Sequence, residues 1–76
     1  MTYSYHDLRE LLAAHGTPDA DFDALTLLEA YTAAPRSAIL ADPTREYESD
    51  ALTNAVEKRI RRVPLQYILG KWEFMG

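Results

Sequence analysis

The chain has no cysteine, which excludes both a disulfide framework and a thiolate-held zinc site as sources of stability. Its three glycines, Gly16, Gly70 and Gly76, are too scattered to form a phosphate-cradling loop. The two histidines, His6 and His15, are not spaced to share a metal on one helix face. Apolar runs are only a few residues long, too short to span a membrane, and the segment Met1-Thr2-Tyr3-Ser4-Tyr5-His6-Asp7 lacks the basic and apolar regions of a secretory signal. A cytoplasmic setting is therefore expected. Basic residues are also in the minority, eight against twelve acidic ones, for a net charge of -4.

What is present suits a single folded domain. Hydrophobic residues are 47% and charged residues 26% of the 76, the balance of a soluble globular unit rather than a disordered tail. A chain this short buries only about 60% of its unfolded surface, so packing must supply the stability with little margin. The charge is uneven. Through Asp50, Arg9, Arg36 and Arg45 stand against ten acidic residues, a balance of -7, whereas from Ala51 onward five basic residues stand against two acidic ones, a balance of +3. The two parts can attract each other or different partners.

Helical periodicity organises the sequence. Tyr5, Leu8, Leu11, Leu12 and His15 recur at helical spacing from Ser4 to His15, with Ser4 as N-cap, Asp7 three residues on, and Gly16 where a left-handed C-terminal cap is wanted. After Thr17-Pro18-Asp19, a second helix is expected from Ala20 to Thr32, capped by Asp19 and with Asp21 and Asp23 at its positive end. Its buried stripe is expected at Phe22, Leu25, Leu28 and Tyr31, widened by Ala24 and Leu27. Pro35, acceptable at a first helical position, introduces a short helix over Arg36 to Leu40.

Beyond Asp42-Pro43-Thr44, the residues Leu52, Val56 and Ile60 define a helix from Arg45 to Arg62, ended by Pro64. Leu65, Ile68 and Leu69 then mark a fifth short helix closed by Gly70. Lys71-Trp72-Glu73-Phe74 alternates polar and aromatic residues as a strand does, and reads as the start of a further segment. The expected fold is all-α, a five-helix antiparallel bundle with no sheet inside it. Its expected core is Leu8, Leu12, Phe22, Leu25, Leu28, Ile39, Leu40, Leu52, Val56, Ile60 and Ile68.

The chain offers few groups for catalysis. Asp19, Asp21 and Asp23 lack the glycine and distal Glu of a calcium loop, and helix capping accounts for them. Lys58, Arg59, Arg61 and Arg62 complement a helix dipole or meet an acidic protein surface. The overall acidity, with no aromatics interleaved in the cluster, argues against nucleic acid. Trp72 and Phe74 either fold back on the bundle or await a partner.

Asp23-Ala24, Leu27-Leu28, Arg36, Ile39-Leu40, Arg59, Pro64, Gln66-Tyr67-Ile68, Gly70 and Glu73-Phe74 fall in an order that resembles the N-terminal domain of the release-factor glutamine methyltransferases, the HemK or PrmC family. Pro64-Leu65-Gln66-Tyr67-Ile68-Leu69-Gly70-Lys71-Trp72-Glu73-Phe74 is the specific part, and Arg62-Val63 stands where the family usually carries Gly-Glu. The resemblance implies a helical substrate-recognition domain over residues 1–70. Residues 71–76 would begin a β-hairpin linker to a Rossmann-like methyltransferase domain. In that family, S-adenosylmethionine methylates the glutamine of the Gly-Gly-Gln motif in peptide chain release factors. The partners implied are a release factor and the chain's own C-terminal catalytic domain, with no membrane. Catalytic, cofactor and metal residues are not expected in this chain. Partner contact is expected from Arg36, Lys58, Arg59, Arg61 and Arg62. A free-standing helical adaptor and a small nucleic-acid-binding bundle are the competing readings.

Overall fold

The structure, a computed structural model, describes residues 2–69. Gly70, expected to close the last helix, and Lys71 to Gly76, with Trp72 and Phe74, lie outside the described residues. The described elements run β1 (Thr2–Ser4), α1 (Tyr5–Ala14), α2 (Ala20–Tyr31), α3 (Arg36–Ala41), β2 (Glu46–Glu48), α4 (Asp50–Ile60) and α5 (Leu65–Leu69). The domain is thus mostly helical, with five helices among the described residues.

Local chemistry sets most boundaries. Ser4 caps α1, its Oγ accepting the Asp7 N–H at 3.0 Å. Gly16 follows α1 at φ 83, the left-handed cap expected there. Asp19 holds the N-cap position of α2 but makes no side-chain cap bond; only its carbonyl is used, by the Asp23 N–H at 3.0 Å. Pro35 is likewise the N-cap of α3 rather than its first residue, and its carbonyl accepts the Ala38 and Ile39 N–H groups. Pro64 serves α5 in the same way through Tyr67 and Ile68.

The expectation of a bundle without a sheet is corrected. Thr2, Tyr3 and Ser4 pair antiparallel with Glu48, Tyr47 and Glu46. The long helix expected from Arg45 therefore begins only at Asp50, where the Ser49 Oγ caps it by accepting the Leu52 N–H at 3.2 Å. Period-two alternation is the physical reason: Glu46 and Glu48 are exposed while Tyr47 between them packs on the core. The pairing also buries Tyr3, and that burial, reinforced by the Glu57 charge, pushes its phenol above the ordinary tyrosine range.

α2 is the central helix, packing against α1, α4 and α3, while α5 packs on α4. One core cluster joins Leu8 and Leu12 to Ala24, Leu25, Leu27 and Leu28, and these to Ile39, Leu52, Val56 and Ile68. Three expected core residues, Phe22, Leu40 and Ile60, are not in it. Phe22 is 49% and Leu40 50% exposed. The buried face of α2 keeps the expected Ala24, Leu25, Leu27 and Leu28, adds Ala20 and Asp23, and so leaves Phe22 at its margin. The six-residue α3 buries Ile39 alone, turning its neighbour Leu40 outward. Ile60 is only partly buried. The Tyr31 hydroxyl donates to the Ile68 carbonyl at 3.0 Å, pinning α5 to the far end of α2.

Replacing Leu52, fully buried, by alanine is expected to cost about 2–5 kcal/mol in urea denaturation, whereas Leu40→Ala costs less than about 1 kcal/mol.

Candidate functional site

The end of α4 gathers most of the expected contact residues, and the fold divides them. Arg59 turns inward. Its Nε donates to Asp23 Oδ2 at 2.7 Å and its Nη1 to the Val63 carbonyl at 3.5 Å. The two side chains are only 16% and 8% exposed. Asp23 lies in the first turn of α2 and Arg59 in the last turn of α4, so each charge also faces the helix end that favours its sign. Arg59 thus joins two helices, away from the surface role expected for it.

Lys58 and Arg61 remain exposed, and no described carboxylate pairs with either. Arg61 is the C-cap of α4, and Arg62 follows in the left-handed region at φ 71. The Arg62 N–H donates to the Arg59 carbonyl at 3.0 Å and the Val63 N–H to the Lys58 carbonyl at 3.1 Å, the two bonds of a Schellman turn. This turn, not Pro64, ends α4, two residues earlier than expected. A side chain in this conformation costs about 1–2 kcal/mol, and glycine is the usual occupant. The Gly-Glu of the resembling family fits such a turn, which this chain keeps with Arg62-Val63 in its place.

Arg36 belongs to α3, not to this end, and lies 3.3 Å from Glu29 with both groups nearly half exposed, a pair worth about 0–1 kcal/mol. Arg45 lies 5.6 Å over the Tyr47 ring. These two line a depression of about 290 Å³ with Ala33, Ala34, Pro35 and Ala38. It falls just below the usual size of a small-molecule site, and its floor is mostly alanine methyls and a proline ring.

Among the described residues, no group of three or more His, Asp or Glu side chains is placed to hold a metal ion. No described helix is long and apolar enough to cross a membrane. What the arrangement presents is an exposed pair of cations, Lys58 and Arg61, on a helix end braced from inside by Arg59. The bracing was not anticipated from the sequence. The signal for it was an acidic residue falling on the stripe of Ala20, Ala24 and Leu27, where an unpaired charge would be costly.

The sequence matches the family described as PrmC N-terminal domain over residues 5–70. No curated protein and no solved structure matches it.

Asp23→Ala, which leaves the Arg59 guanidinium largely buried without a partner, is expected to destabilise the fold by about 3–5 kcal/mol. The double variant Asp23→Leu/Arg59→Met, read by the same urea titration, stays within about 1 kcal/mol of the parent because it leaves no buried charge.

Proposed function

The chain belongs to the PrmC N-terminal domain family, and from that membership we propose that it holds the protein substrate of a glutamine methyltransferase. The substrate is a peptide chain release factor. The reaction moves a methyl group from S-adenosylmethionine to the side-chain amide of the glutamine in its Gly-Gly-Gln motif. Cofactor and chemistry belong to a catalytic domain, and the setting is the cytoplasm. The family match over residues 5–70 is the observation that carries this reading.

Physical reasoning supports the division of labour. One glutamine in a large protein must be brought to a methyl donor, and contacts far from the reacting atoms can supply that orientation. The α4 end suits such contacts. Lys58 and Arg61 offer cations free of described carboxylates to an acidic patch on the partner. Arg59 fixes the shape of the surface through Asp23, and Arg62 stands beside it in the turn after α4, while Arg36, paired with Glu29 on α3, lies apart from this end.

The test is methyl transfer by the methyltransferase carrying this domain, with Lys58→Glu/Arg61→Glu introduced. KM for intact release factor is expected to rise roughly tenfold with kcat unchanged, while transfer to a short Gly-Gly-Gln peptide is unaffected. An unchanged KM removes the α4 end as the docking surface. If the parent enzyme shows no preference for intact release factor over the peptide, the substrate-holding role itself fails.

A further inference from the structure

Two helices of this fold end in the same way, and the two ends meet. α1 closes through Gly16 at φ 83, its N–H donating to the Ala13 carbonyl and the Thr17 N–H to the Leu12 carbonyl, both at 3.0 Å. α4 closes through Arg62 at φ 71 with the matching pair of bonds. The guanidinium of Arg62 crosses from its own turn to the other: a Cβ built on Gly16 would lie 2.9 Å from Arg62 Nη2. Arg62 makes no ion pair with a described carboxylate, and the turn it reaches follows the C-terminal, negative end of α1.

We infer that Arg62 is a latch between the C-terminal ends of α1 and α4. Its side chain seats over the left-handed turn at Gly16 and holds the α1–α2 connection against the α4–α5 connection. Gly16 then meets two demands, a positive φ and room for a guanidinium. The latch also accounts for an arginine where a turn of this kind ordinarily takes glycine, since the charge gains a helix end that opposes the backbone strain. Within the basic cluster, Arg62 is a positioning residue and not one of the free cations.

A double-mutant cycle in urea tests it with Gly16→Ala and Arg62→Asn, asparagine being an uncharged residue that tolerates the left-handed region. A flexible guanidinium that merely rests on Gly16 would swing aside from a new methyl group at little cost, and the two effects would then multiply independently. A held guanidinium predicts coupling. In the Arg62→Asn background Gly16→Ala raises the unfolding constant by about 5- to 30-fold, the effect of backbone strain. With Arg62 present it raises it by a further two- to fivefold. Equal factors in both backgrounds overturn the latch. Should Gly16→Ala fail to fold, amide hydrogen exchange on Arg62→Asn alone decides. Exchange at Gly16 and Thr17 is expected to speed up several-fold while Ile39 stays unchanged, and unaltered exchange at Gly16 and Thr17 refutes the proposal.

Discussion

The carboxylate of Asp23 and the guanidinium of Arg59 meet at 2.7 Å with little access to water, across 36 residues of sequence. Taking two charges out of solvent is costly, and it is sustained only where geometry and further hydrogen bonds compensate. Here the second Arg59 bond goes to the Val63 carbonyl, and both charges sit at the helix ends that favour them. The pair brings the start of α2 to the end of α4. From there the chain runs to α5, whose Ile68 carbonyl accepts the Tyr31 hydroxyl near the other end of α2. With so small a core, this polar tie defines how the two helices and the segment after them are set together.

The charge asymmetry of the sequence takes a physical form in this arrangement. Among the described residues, the acidic part and the basic part are joined through the buried Asp23–Arg59 pair, and positive charge without a described carboxylate partner is left on Lys58, Arg61 and Arg62. A surface meant to hold a protein in one orientation needs such a rigid backing, because loosely held side chains lose binding energy to ordering. In the role proposed for this domain, that backing would let contacts remote from the reacting atoms act on the orientation of a protein substrate.

Legibility in the sequence followed the range of the interaction. The helix α1, with its Ser4 cap and Gly16 terminus, and the helix α5, from Leu65 to Leu69, are set by neighbours within a few positions, and they read directly. The strand at Glu46–Glu48 did not, because its partner lies more than forty residues away, although the alternation around Tyr47 was visible. Phe22 falls at helical spacing with Leu25 and Leu28, and Leu40 adjoins Ile39, yet the packing of neighbouring helices decides which margin of a stripe is covered, and Ala20, Ala24 and the leucines take the inward face of α2. Asp23 and Arg59 were each legible as helix-end charges; that they are one another's partner is a property of the packed helices. The left-handed Arg62 was marked only by its place opposite a family glycine.

The Arg59 side-chain Nε–H tests the central pairing most directly, by NMR detection of its exchange with solvent. A proton donated to a largely buried carboxylate should give a resolved resonance that exchanges at least roughly tenfold more slowly than those of Arg45 and Arg61. An Arg59 Nε–H that exchanges as fast as those exposed arginines would contradict the account.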